Sequence, residues 1–447
     1  MSQSLRELAA DLVEDRLFER ALAVYAEAVR RSPDDHRARM GAAQCYAELG
    51  EKERAVMVLH ACAEGLLRRD YLLSAIAACR SALRFSPQER RVKETLARIH
   101  SRAMKAPSGR AAVPPPRPPD ALFDGKVETD LMALSGEALS DAALEVLAAP
   151  DLDGPPADPE ARPPLPLFAD LSREAFVELC GQMQLRTVKE DRDICVQGEG
   201  GESILVLVAG KAEVTRLVGG ELKTIGFLGG GSIFGEMAML TGSPASANVT
   251  AVTDCEVLEI SREALAKTAR AHPETQAVIA QFAQARMARH LMSTSPLFQR
   301  FPEAERAALL QHFSFKALGT GERALKEGDH VQGMYLVLAG ELVVQKDDPA
   351  GGKVTLGVLR EGDIAGEISL LTGLRATATV VATRKTATAF LDRSEFDALL
   401  QRFPEAREYL EELSQRRLRQ IGDALRPAEI IDADELVVEQ DATAETG

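Results

Sequence analysis

The chain of 447 residues holds six cysteines, at positions 45, 62, 79, 180, 195 and 255, and none forms a Cys-x-x-Cys pair. Scattered single cysteines point to reduced thiols and a cytoplasmic location rather than a disulfide framework. The seven histidines form no His-x-x-x-His spacing and no cluster with cysteine, so no metal site is expected. No apolar run approaches the ~18–20 residues that a membrane helix needs. The opening "MSQSLRELAADLVEDR" lacks the basic and apolar regions of a secretory signal. A membrane is therefore not an expected partner. Basic charge is scarce too. Of the net charge of −15, residues 106–166 and 427–447 carry −7 each, which leaves about −1 for everything else. A near-neutral remainder with no basic stripe argues against nucleic acid as a partner. The two acidic segments read as solvated, flexible chain. No serine, cysteine or histidine constellation suggests a nucleophile. Gly229, Gly230 and Gly231 form a turn rather than a phosphate loop, because no Lys-Ser/Thr follows them. The chain is expected to be no enzyme and to need no cofactor.

What is present is strongly patterned. Residues 4–103 are rich in Ala and Leu at spacings of three and four, which predicts helix almost throughout. Within "ERALAVYAEAVRRSP" the positions Ala21, Tyr25, Ala28 and Pro33 recur in "LSAIAACRSALRFSP" as Ala75, Cys79, Ala82 and Pro87, 54 residues on. Small residues let paired helices approach closely, and the proline closes the second helix. Cys45, Cys62 and Cys79 follow one another at 17-residue intervals, which suits small packing positions. "RRSP" at 30–33 looks like a kinase substrate, but it falls at the end of a helix, where basic residues favour the dipole. This pattern resembles the tetratricopeptide repeat, in about three degenerate copies, and the resemblance implies a protein partner. A generic helical bundle is the alternative.

From about 104 to 165 the composition changes to proline-rich stretches, "AAVPPPRPPD" and "DGPPADPEARPPLP", which build no core and read as a linker. Its middle, "TDLMALSGEALSDAALEVLAA", has the pattern of one amphipathic helix, either docked on a partner or on the repeats or transient in a tether.

After 165 the chain repeats itself at an offset of 130: "PLFADLSREAFVELC" matches "PLFQRFPEAERAALL", and "GEGGESILVLVAG" matches "GDHVQGMYLVLAG". "LGGGSIFGEMAML" matches "LREGDIAGEISLL" with the offset grown by one. Short alternating runs punctuated by Gly predict a small antiparallel barrel or jelly roll in each copy, closed by a helical run. Gly235-Glu236 and Gly366-Glu367 hold the same place in each copy. The glycine pattern, the apolar strand ending in Ala-Gly ("LVLVAG" and "YLVLAG") and the Gly-Glu turn, in order and twice, resemble the cyclic-nucleotide-binding domain over 166–425.

That resemblance implies roles. The glutamates Glu236 and Glu367 would accept a hydrogen bond from the ribose 2′-hydroxyl. N–H groups near Ala238 and Ser246, and near Ser369 and Thr377, would hold the cyclic phosphate, as anions sit at helix N-termini. The hydroxyls of Ser246 and Thr377 resemble those of members that accept cGMP as well as cAMP. The family's phosphate arginine is missing: nine residues after each glutamate stand Ala245 and Ala376. A charge-assisted hydrogen bond of that kind is worth roughly 1.5–3 kcal/mol, or about ten- to 150-fold in affinity. The first copy has no Lys or Arg between Lys223 and Arg262, so nothing nearby replaces the arginine. The second has Arg375, one position early, within a loop's reach of an anion.

The expected architecture is multidomain. An all-α tetratricopeptide-like repeat (1–104) precedes a proline-rich acidic linker (105–165). Two barrel or jelly-roll domains with flanking helices (166–292 and 293–425) precede an acidic tail (426–447). About 22 residues after the last helix are too few for the winged helix of a transcription factor. The expected function is a non-enzymatic adaptor whose repeats bind a protein and whose barrels have degenerate phosphate sites. The alternative is a genuine cAMP or cGMP receptor, acting through the second barrel and resembling a kinase regulatory subunit.

Overall fold

In the computed structural model the described residues are 3–103, 122–123, 130–150, 167–218, 221–242, 244–302, 305–306, 309–347 and 352–424. The acidic tail and much of the proline-rich segment lie outside them. The chain divides into two compact units, Met1–Met287 and Ala288–Gly447. Among the described residues no helix is long and apolar enough to cross a membrane.

The first unit opens with β1 (Gln3–Ser4), paired antiparallel with β2 (Leu122–Phe123). Helices α1 (Leu5–Glu14), α2 (Phe18–Arg31), α3 (His36–Glu48), α4 (Lys52–Arg68), α5 (Leu72–Phe85) and α6 (Arg90–Ala103) follow. Ser4 and Glu7 close a reciprocal capping box at the start of α1. Pro33 and Pro87 stand two residues past the ends of α2 and α5. The alanines at 21, 28, 75 and 82 are buried, as close helix packing needs. Gly41 makes one such approach possible, because a Cβ there would meet the Tyr25 ring at 2.5 Å. Cys45, Cys62 and Cys79 are free and buried. Burial pushes the Cys45 thiol up to about 12, so it packs rather than reacts.

Part of the segment read as linker is structured. Helix α7 (Gly136–Leu147) packs on α2, α3 and α4 and buries Leu139, Ala143 and Leu147. Helix α8 (Arg173–Gln182) packs on α5 and α6 and leads into the first barrel.

That barrel is two four-stranded antiparallel sheets. In the first, β3 (Gln184–Val188), β10 (Cys255–Ser261), β5 (Ser203–Ala209) and β8 (Ile233–Phe234) lie in that order. In the second the order is β4 (Asp193–Cys195), β9 (Asn248–Ala251), β6 (Ala212–Val218) and β7 (Glu221–Leu228). Their facing sides bury Ile194, Leu205, Leu207, Val249 and Val257. The outer side of β5 (Ile204, Val206 and Val208) belongs instead to the core that runs through α8 into the repeats. Buried on both faces, β5 reads as the continuous apolar run "ILVLVA" and not as the alternation expected of it. Helices α9 (Glu236–Thr241), α10 (Arg262–Ala271) and α11 (Thr275–Thr294) complete this part.

The second unit repeats the topology. One sheet is ordered β11 (Ser314–Leu318), β18 (Thr386–Asp392), β13 (Gly333–Ala339), β16 (Ile364–Ala365). The other is β12 (Arg323–Leu325), β17 (Thr379–Ala382), β14 (Leu342–Asp347), β15 (Lys353–Leu359). Leu318, Val337, Leu342 and Val380 fill the space between them. Helix α12 (Glu367–Thr372) follows β16, and α13 (Arg393–Arg402) and α14 (Pro404–Ala424) close the unit.

Candidate functional site

In each barrel a glycine joins a two-residue strand to a six-residue helix. Gly235 has φ +75° and Gly366 φ +98°. A Cβ on Gly235 would stand 2.9 Å from the Ser203 carbonyl oxygen, and one on Gly366 3.0 Å from that of Gly333. Conformation and space both require glycine there.

The glutamate that follows is turned inward. Glu367 is 1 % exposed, and its Oε1 accepts a hydrogen bond from Arg417 Nη1 at 2.6 Å. The same nitrogen donates to the Ile364 carbonyl at 2.7 Å. The first barrel repeats the arrangement: Arg286 Nε donates to Glu236 Oε1 at 3.0 Å, and its Nη2 to the Ile233 carbonyl at 2.6 Å. Arg286 lies on α11 and Arg417 on α14, each fifty residues after its glutamate. Sequence reasoning missed both arginines. The equal offset in the two copies was the one signal that marks them.

Beside Glu367 the second barrel holds a cavity of about 240 Å³, walled by Leu356, Gly366, Ser369, Ala376, Thr377 and Ile421 among others. Its charged lining residues are Asp363, Glu367 and Arg417. Ala376, nine residues after Glu367, lines this space. Its backbone is committed, with N–H to the Asp329 carbonyl and C=O from the Gly328 N–H, both at 2.9 Å. Ala245 is held likewise by Glu199 (3.0 Å) and Gly198 (2.9 Å), and is buried. Ser369 is 2 % exposed and donates to the Arg375 carbonyl at 3.2 Å, which fixes the loop. Arg375 itself is exposed. Its Nη1 donates to the Gly328 carbonyl at 2.9 Å, and it is not among the residues that line the cavity. Ala238 is buried and Ser246 exposed.

The expectation that no cation near the first turn stands in for the arginine needs one correction. Arg216, on β6, donates through Nε to the Ser246 carbonyl at 3.0 Å. Lys346, 130 residues later on β14, donates to the Thr377 carbonyl at 2.8 Å and pairs with Glu327 at 2.5 Å. A neighbouring strand brings both in, so distance along the chain was the wrong measure.

The first unit also holds a cleft of about 1090 Å³ between the repeat helices and strands β3 and β10, lined by Arg37, Arg80, Arg84, Lys189 and Glu256 among others. Glu256 is 8 % exposed, and Arg37 Nε lies 3.4 Å from its Oε1. Burial pushes its carboxyl above the ordinary carboxylate range, and Arg37 partly opposes that.

Residues 185–272 and 315–403 both match the family described as cyclic nucleotide-binding domain, and residues 12–62 match the tetratricopeptide repeat. The chain carries tandem cyclic nucleotide-binding domains behind a tetratricopeptide repeat. It is 28 % identical over 235 residues to the cAMP-dependent protein kinase type II regulatory subunit of Drosophila melanogaster, covering 52 % of this chain and 59 % of that one. It is 26 % identical over 234 residues to the cAMP-dependent protein kinase regulatory subunit of Eremothecium gossypii, covering 52 % of this chain and 48 % of that one. The chain thus spans about half of each of these regulatory subunits. Among solved structures it is similar to the regulatory domain of Toxoplasma gondii PKA with cAMP (21 % identity, 56 % of this chain, 92 % of that one, TM-score 0.28). It is also similar to the regulatory subunit of a cAMP-independent protein kinase A from Trypanosoma brucei (22 %, 58 %, 91 %, TM-score 0.30).

Proposed function

We propose that this protein is a non-enzymatic regulatory adaptor whose repeats bind a protein and whose cyclic nucleotide-binding domains have lost the charge that selects a cyclic phosphate. The observation that carries this reading is the second-domain cavity. Ala376 forms its wall where a phosphate cation belongs, and its one lining arginine, Arg417, is already paired with Glu367. An anion entering this space meets two carboxylates and one neutralised guanidinium, an unfavourable balance in a partly desolvated site. A ribose diol fares better, because Glu367 has acceptor capacity beyond the oxygen that Arg417 uses.

The room itself supports the second reading, a genuine receptor acting through the second domain. Calorimetric titration of the full chain with cAMP, cGMP and adenosine separates the two. The adaptor reading expects no cyclic-nucleotide binding below the high micromolar range, and Ala376→Arg to strengthen cAMP binding about ten- to 150-fold, the worth of one charge-assisted hydrogen bond. Low-micromolar cAMP binding by the wild-type chain would overturn it in favour of the receptor.

A further inference from the structure

Helix α7 sits on the repeats as a bound ligand would. Arg39, on α3, is 3 % exposed and donates through Nε to the Leu147 carbonyl at 3.0 Å and through Nη2 to the Ala149 carbonyl at 3.2 Å. A guanidinium thus caps the carbonyl end of α7, where a cation is favoured. Tyr46 is fully buried, and its hydroxyl donates to the Ser140 carbonyl at 2.6 Å. The Ser140 hydroxyl donates to Glu51 at 2.8 Å, and Arg54 pairs with Asp141. Upstream, Arg30 pairs with Asp130 at 2.7 Å. These contacts read helix features: a carbonyl terminus, a mid-helix carbonyl, an acidic edge and an apolar stripe of Leu139, Ala143 and Leu147. Arg39 also donates through Nη1 to the Pro33 carbonyl, which holds its guanidinium in place on α3 for a helix terminus to dock against. Residues 104–121 and 151–166, on either side of it, are rich in proline, and β2 (Leu122–Phe123), paired with β1, lies between the first of them and α7.

We propose that the α2–α4 face under α7 is the partner-binding surface of the repeats, and that α7 occludes it. The partner is an amphipathic helix of another protein, with small and leucine-sized residues on one side, an acidic residue placed as Asp141 is, and its C-terminal carbonyls over Arg39. This inference rests on the reading of the repeats as a protein-binding module and names the surface and its gate. A tethered helix acts at an effective concentration of about 1 mM. Against a free peptide binding at roughly 10 µM, that weakens apparent affinity on the order of 100-fold.

The probe is a fluorescent peptide of residues 129–150, titrated by anisotropy into full-length protein. Three chains are compared: wild type, one with 130–149 replaced by an equal length of Gly/Ser spacer, and the milder Leu139→Ala with Leu147→Ala. Far-UV circular dichroism and melting check that each is folded. The expected result is binding roughly 100-fold tighter to the spacer variant than to wild type, with the alanine pair between them. Adding Arg39→Gln to the spacer variant should then weaken binding at least tenfold. Equal affinity for wild type and both variants would overturn the occlusion and leave the binding face standing. A folded spacer variant and a folded alanine pair that both ignore the peptide would overturn the face itself, and with it the support for a helix-binding module.

Discussion

Replacing Arg417 by methionine keeps most of the side chain's bulk and deletes its guanidinium. Glu367 is 1 % exposed, so the variant leaves an ionised carboxylate in a space that water barely reaches. Breaking a buried pair from one side costs about 3–5 kcal/mol, because the remaining charge has lost its compensation. For a unit of this size each kcal/mol moves the midpoint by about 3–4 °C, which puts the shift at roughly 10–20 °C. The Arg417 side chain is 21 % exposed, so some of its worth is screened and the low end of that range is the better expectation. The diagnostic comparison is the double variant, Arg417→Met with Glu367→Gln. With no charge left to bury, it should recover to within about 1.5 kcal/mol of wild type, the scale of a volume-conserving core change. Calorimetry and urea denaturation of the full chain at pH 7, following the second unit's transition, measure all three. A single variant melting within 3 °C of wild type (about 1 kcal/mol at this size), or a double variant no better than the single, would refute the claim that Arg417 neutralises Glu367. The parallel change Arg286→Met should cost less, since Glu236 is 8 % exposed and better hydrated.

Two further predictions concern pH. His36 is buried, and burial, with Arg37 and Arg69 nearby, lowers its pKa from 6.5 to about 3, so it is neutral in the folded protein. Its contribution is therefore complete above pH 6.5 and is lost as the pH falls towards 3, by about 2.5 kcal/mol between pH 6 and 4. Neither ring nitrogen has a hydrogen-bond partner among the described residues. His36→Leu should flatten the fall of unfolding free energy over that window, and parallel curves for variant and wild type would contradict the assignment. Glu256 behaves oppositely: its raised pKa makes stability greatest below the ordinary carboxylate pKa and lower as the pH rises through the folded value. Glu256→Gln should stabilise the first unit at pH 7 to 8 and lose that advantage at pH 4. A destabilisation at pH 8 would mean that the Arg37 pair outweighs the cost of burial.

The duplicated barrels were legible because their marks are local. A glycine at positive φ, where a Cβ would crowd a carbonyl, and a glutamate directly after it recur with the strands in fixed order, and any other residue at Gly235 or Gly366 would be strained. The helical repeat was legible for a similar reason: alanine spacing and terminal prolines are short-range signals. The rest depended on contacts across the chain. Nothing near Glu367 announces an arginine fifty residues later, and nothing near Ala245 announces Arg216. Strand β5 gave no alternation to read because both its faces are covered. The α7 pattern allowed docking or a transient helix alike, and only the acceptors it offers to Arg39 and Tyr46 distinguish them.

The double-faced burial of β5 also bears on modularity. Ile204, Val206 and Val208 complete a core begun by the repeats, while Leu205 and Leu207 complete the barrel. A recombination joint placed between repeats and first barrel, in a gene or in a laboratory chimera, would bare apolar surface on both products. Each would then tend to self-associate, and neither would be a clean transplantable part. The repeats and the first barrel are therefore one heritable unit.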